Sequence, residues 1–467
     1  MTAAIAACVV ALGLLSAAPA GAAEAETRLA RDTRAHLRAL VRIDTSNPPG
    51  QERKAADYIR AALQADGIAV ELYPSTGPRA GAFARLKGTG GKKPILLVCH
   101  TDTVPVDRAE WSVDPFAAVE KDGYLYGRGA ADNKGMCAAE MAVLQDLKRS
   151  GLKLARDVVF FAAADEESGE PVRYMDRLVR DRPELLASEF AINEGGVTLW
   201  DNGRVMELQV QTAEKDFLDV TLTARGSAGH PAVSSAGNPV AALLRAADRL
   251  AAVRFSSELT PLVQEFLHQQ HASATAPLKS AIYDVLSADM GVELDQATDR
   301  LAGIDPEYAA MLRDTLTPTV LEAGYKSNVV PARARAVFNA RLMPGRDPAV
   351  FLDQVREVIA EPGVTVSCEA GASSHVPAMP LDSELYRAVE EAALKFAPGA
   401  RVMPFLSPWS TDSRQLRAAG VRAYGISLPL SPDDGVRVHG KDERVDLAAL
   451  DWYAAYLREV VAAVSGG

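Results

Sequence analysis

The chain is poor in histidine, poor in cysteine, and has neither a basic run nor a long internal apolar run. It has 7 histidines and 4 cysteines in 467 residues, so a histidine in a patterned position is informative. Lys and Arg number 50 against 61 Asp and Glu, a net charge of −11. With no cluster of basic residues, nucleic acid and anionic membrane surfaces are poor partners. Beyond the N-terminus, no stretch approaches the ~20 apolar residues of a membrane span. Internal repeats and low-complexity segments are absent as well. Few cysteines exclude a disulfide framework: Cys8 lies in the first apolar segment, and Cys99, Cys137 and Cys368 remain, with buried, unpaired thiols the expectation and one pair in an oxidising compartment the alternative.

What is present begins with residues 1–23, which carry no charged side chain and end in small residues around Ala20–Ala23. That pattern reads as a secretory signal peptide and predicts an exported product, periplasmic or secreted. The length predicts more than one domain. Residues 27–66 read as helical with one break at "DTSNPPG". The runs 94–99, 157–164 and 190–193 read as strands alternating with a helix that ends at Gly151, an α/β layer with a largely parallel sheet. From about 215 alternating strands and amphipathic helices replace that pattern, and after about 372 it returns. The expected organisation is 24–214 and 372–467 forming one catalytic domain, with 215–371 an inserted α+β lid.

The chemistry gathers at the ends of the predicted strands, where open α/β sheets place their ligand sites. His100 follows "PILLVC", Glu166 and Glu167 follow the second strand, and Glu194 follows "FAIN". Asp132 stands where a loop enters a helix, so helix capping is its simplest role. Converging carboxylates need a cation, and imidazole plus carboxylate without thiolate suits zinc or a similar divalent ion. Cys99 points away from the His100 face. Asp102 shares that face and can orient the imidazole. Neighbouring Glu166 and Glu167 can divide the roles of base and ligand.

The motifs "CHTDTVPV", "DGYLYGRGAADNKG", "EES", "NEGG", "GHP…GNP" and "HGKDERV" follow one another in the order seen in the di-zinc aminoacylase, glutamate carboxypeptidase and desuccinylase family. The long section at 255–315 is similar to the carboxypeptidase S and N-fatty-acyl-amino-acid hydrolase branch. The resemblance implies two zinc ions, with Co2+ or Mn2+ as substitutes. Asp132 would bridge them, His100 and Glu194 completing one site, Glu167 and His439 the other. It also implies Glu166 as base, Asp102 as support for His100, and His230 as stabiliser of the tetrahedral intermediate. Asn328 and Arg341 would hold the substrate's carboxylate, and a homodimer would form through the lid. His36, His268, His271 and His375 match nothing and read as surface residues. Trp409, where many relatives carry a glycine pair, is expected to shape the pocket. The expected activity is hydrolysis of peptide or N-acyl-amino-acid amide bonds. The alternatives are an aminopeptidase or dipeptidase of the same family, and a non-catalytic zinc-dependent binding protein, for which Glu166 would have no use.

Overall fold

A computed structural model describes residues 27–74, 78–168, 173–233, 237–369 and 376–466. The signal-peptide segment, Cys8 and His375 lie outside them. Two helices, Arg28–Val41 and Glu52–Ala65, flank the "DTSNPPG" loop. The apolar runs form strands Ile95–His100, Val158–Ala163 and Phe190–Asn193, with Arg422–Gly425 beside the last. They pair in parallel, with Ile95–His100 between the other two of the first three. Every residue of those three strands is buried, because a parallel sheet is covered on both faces and cannot alternate. Among the described residues the sheet has ten strands: antiparallel pairs extend it on both sides, Arg401–Ser407 joins in parallel beside Arg204–Glu214, and Pro429–Leu430 joins in parallel beside Val197–Asp201. Helix Gly135–Ser150 covers one face and ends at Gly151, whose φ of 68° is a left-handed stop glycine readily adopts.

A second sheet is antiparallel, in the order Thr315–Ala323, Arg333–Leu342, Asp216–Arg225, Val364–Glu369. Alternation divides its faces. Leu218, Val220 and Leu222 meet Phe338 and Ala340 in a core covered by helices Pro239–Ala251 and Pro348–Ile359. Phe217, Asp219, Asn339 and Arg341 therefore share the other face, with Phe217 opposite Arg341 and Asp219 opposite Asn339. The helices from Pro261 to Ala310 lie between the lid strands in sequence but bury Val263, Phe266 and Leu267 against Met403 and Phe405 of the large sheet. Among the described residues no helix is long and apolar enough to cross a membrane.

Cys99 and Cys137 form a disulfide, which corrects the expectation of unpaired thiols. Cys99 leaves the strand on the face opposite His100, and that face packs on the helix carrying Cys137. Both are buried as expected, and Cys368 is unpaired. His36 is also not a surface residue: it is buried, with Nδ1 at 2.8 Å from the Tyr58 hydroxyl and Nε2 at 2.8 Å from Gln145 Oε1. His268 is exposed and His271 half-buried.

Candidate metal centre

Parallel pairing puts the ends of three neighbouring strands on one sheet edge. His100 ends one strand, Glu166 and Glu167 lie in the turn after the next, and Glu194 follows the third. Asp132 comes from the loop before helix Gly135–Ser150. It caps nothing, because the cap position is Lys134 and has no side-chain bond. His439 arrives from the far end of the chain. Strand Arg444–Asp446 pairs with Tyr124–Tyr126, which docks the "HGKDERV" loop against "GRGAADNKG". Glu443 secures that junction: its carboxylate accepts from Arg128 Nη1 at 2.6 Å and from the N–H groups of Gly129, Ala131 and Asp132. Arg128 in turn donates to the carbonyls of His439 and Gly440.

The two oxygens of Asp132 face two different imidazoles. Oδ1 lies 3.0 Å from His100 Nε2, and Oδ2 lies 3.1 Å from His439 Nε2. His100 Nε2 is also 3.6 Å from Glu194 Oε1, and His439 Nε2 is 2.7 Å from Glu167 Oε1. One histidine and one glutamate thus stand on each side of a shared aspartate. Ligand atoms of His100, Asp132 and Glu167 lie within 4.8 Å of one another, as do those of His100, Glu166 and Glu194.

The neighbouring groups orient this set. His100 Nδ1 is 3.1 Å from the Asp102 carbonyl and 3.4 Å from Asp102 Oδ1. The Asp102 carboxylate accepts from the N–H groups of Glu166 and Glu167 and from Asn47 Nδ2. Arg79 donates to Asn47 Oδ1 and pairs with Asp165 at 3.3 Å. Asn133 Nδ2 donates to Glu194 Oε2 at 2.7 Å. The contacts of Asn47, Arg79, Arg128, Asn133 and Glu443 escape sequence reasoning, since each depends on long-range placement. Arg128 and Glu443 fall within the glycine-rich and "HGKDERV" motifs, which give no sign of their contact.

The electrostatics of the cluster favour positive charge at its centre. Burial drives the Glu166 and Glu167 carboxyls up from their ordinary range. Burial opposes charge on His100 as well, yet Glu194, Asp102 and Asp132 push its pKa well up. Hydrogen bonds donated by its imidazole to the Asp132 and Glu167 carboxylates raise His439 to about 10. Burial would raise Asp132, but bonds from both histidines hold it far below the carboxylate range. The protons on the two imidazoles neutralise charge that a cation would neutralise in their place. Oxygen and imidazole donors without thiolate fit a zinc-like divalent ion, and a carboxylate presenting one oxygen to each side fits a bridge.

The remaining predicted residues divide. Arg341 faces the cluster from the lid: its Nε donates to Asn339 Oδ1 at 2.9 Å, its guanidinium lies 5.6 Å from the Phe217 ring centre, and it feels the charges of Arg173 and Glu166. His230 and Asn328 lie elsewhere, on an exposed lid tip where Gly229 bridges Val330. His230 Nδ1 accepts from Ala232 N–H, and among the described contacts it touches none of the cluster's carboxylates. Trp409 packs on Phe405 and is 36% exposed.

The sequence profile of "Peptidase family M20/M25/M40" matches residues 96–463. The chain belongs to this family. The chain is 28% identical over 388 residues to the human N-fatty-acyl-amino acid synthase/hydrolase PM20D1, covering 79% of this chain and 74% of that protein. To mouse aminoacylase-1 it is 29% identical over 380 residues, covering 79% and 81%. The fold matches an M20 family metallo-carboxypeptidase from Sulfolobus solfataricus with a TM-score of 0.71 at 21% identity, covering 93% of this chain and 99% of that one. As a member of the M20 family the protein is a peptidase- or aminoacylase-like hydrolase of amide bonds. Its α/β body with a separate antiparallel lid accords with that fold.

Proposed function

We propose that the protein hydrolyses the amide bond of N-acyl amino acids or peptides that carry a free carboxylate on the scissile residue, using two zinc ions. The observation that carries this reading is Asp132, with one oxygen toward His100 and the other toward His439. His100 and Glu194 would hold one ion, Glu167 and His439 the other. When bound, such a pair supplies a Lewis acid and makes water acidic enough to be deprotonated near neutral pH. Glu166 takes the proton of the attacking water and passes it to the departing amine. Its raised basicity, a consequence of burial, suits that transfer. Asp102 orients His100 and pins the Glu166–Glu167 backbone. Arg341 grips the substrate's carboxylate with a planar, bidentate donor. The names of the relatives, which include N-fatty-acyl-amino acid and aminoacylase activities, support an N-acyl amino acid as substrate.

We assign His230 to the tetrahedral intermediate and Asn328 to the carboxylate, roles that require the exposed lid tip, which lies apart from the cluster here, to come over the bound substrate. The edge strand Thr315–Ala323, exposed from Thr317 onward, is the surface we propose for a homodimer, which light scattering checks. Export from the cell fits the Cys99–Cys137 disulfide, and a mature N-terminus near Ala23 to Ala25 is the expected product. The activity is tested with a panel of N-acyl amino acids and dipeptides on zinc-loaded protein, each as free acid and as amide. Preference for free acids supports the reading. Equal rates on both would favour an aminopeptidase instead.

A further inference from the structure

Arg173 stands between the base and the lid. Its Nη1 donates to Glu166 Oε1 at 2.8 Å, and the two side chains are 14% and 11% exposed. Its guanidinium lies 5.4 Å from the centre of the Phe217 ring. Glu166 and Asp412 attract it, Asp176 attracts it from its own helix, and Arg341 repels it from the lid. Its position is therefore braced from several sides by charge and by an aromatic face.

Glu166 has two destinations open to it. The same carboxylate that serves as base also lies within 4.8 Å of donor atoms of His100 and Glu194. A carboxylate free to turn there would be drawn onto a bound cation as an extra ligand. Its lone pair would then be committed to the metal and lost to proton transfer. A charge-assisted hydrogen bond to one oxygen opposes that rotation and leaves the other oxygen available.

We propose that Arg173 is a positioning residue that tethers Glu166 through Oε1, holding the carboxylate off the metal and directed at the attacking water. This rests on the reading of a divalent metal centre with Glu166 as its base. It requires no contact between Arg173 and substrate, which separates it from the grip assigned to Arg341.

The test uses full-length protein loaded with Co2+, whose visible absorption reports the number of ligands, alongside the zinc form for kinetics. In Arg173→Met the cobalt spectrum should change as Glu166 joins the coordination sphere. In Arg173→Met with Glu166→Gln it should return to the wild-type shape, because an amide is a weak ligand. On zinc protein, Arg173→Met should lower kcat by about tenfold or more, part of what a general base contributes, with KM nearly unchanged. Arg173→Lys should keep the wild-type spectrum and recover most of kcat, and it also guards against misfolding in the methionine variant. An Arg173→Met spectrum identical to wild type overturns the tether. So does a raised KM at unchanged kcat, which would make Arg173 a substrate grip. The spectral arm needs no substrate, so failure of the hydrolase reading shows separately, as a wild type that binds cobalt but cleaves nothing. A wild type that binds no cobalt overturns the metal reading and the tether together.

Discussion

Asp132 has its two oxygens committed to opposite sides of the cluster, so it is the side chain whose loss is felt twice. Asp132→Ala should remove most bound zinc, since both half-sites lose a ligand while Glu166, Glu167 and Glu194 are left repelling one another. Atomic absorption on the purified variant checks this, and an unchanged zinc content contradicts it. His439 gives the pH dependence its sign. In metal-free protein, hydrogen bonds that His439 donates to the Asp132 and Glu167 carboxylates raise its pKa from 6.5 to about 10. A group raised on folding stabilises fully below its unfolded pKa, so this contribution is complete below about 6.5 and fades as pH climbs toward 10. Zinc needs the same lone pair that the proton holds. Zinc affinity should therefore rise with pH through that window, with protons released on binding. Calorimetry in buffers of different ionisation enthalpy measures that release, and buffer-independent heats would exclude it.

At the scale of elements, much of the architecture was legible before any coordinates. Uninterrupted apolar runs marked the buried parallel strands, alternation marked the lid strands, and Gly151 marked a helix end. Strand-end placement then brought His100, Glu166, Glu167 and Glu194 to one edge, as the parallel pairing does. What stayed hidden depends on side chains meeting across the fold. No local pattern shows that Glu443 closes on Arg128, 315 residues away, or that Cys99 faces Cys137 across a strand–helix contact. Asp132 looked like a cap because its position alone fits one, and its true neighbours come from elsewhere. The Glu443 junction carries its own prediction. Glu443→Ala leaves Arg128 buried without its partner and three backbone N–H groups unsatisfied, which should cost about 3–5 kcal/mol of stability. Chemical denaturation reads that loss, and zinc retention should weaken with it because the Asp132 loop loses its anchor. A stability within error of wild type would remove Glu443 from the account.

For the whole molecule, the proposed reaction requires two bodies to act together. The large sheet would supply the ligands and the base, and Arg341, which strand register sets opposite Phe217, would reach the substrate from the lid. Arg341→Ala should weaken kcat/KM for free-acid substrates by about 2–5 kcal/mol, the range for truncating one side of a buried charge pair. Amidated substrates should lose much less, and Arg341→Lys should recover the loss only in part. Equal losses on both substrate forms would place the carboxylate elsewhere. The central claim is that this fold gathers two metal ions around Asp132 to cleave an amide, and zinc titrated into metal-stripped protein tests it most directly, with hydrolysis of an N-acyl amino acid followed at each addition. The expected curve starts at no activity and levels off at two zinc ions per chain, and Glu166→Gln binds the same two without turnover. Full activity in stripped protein, or a plateau at one zinc, would contradict it.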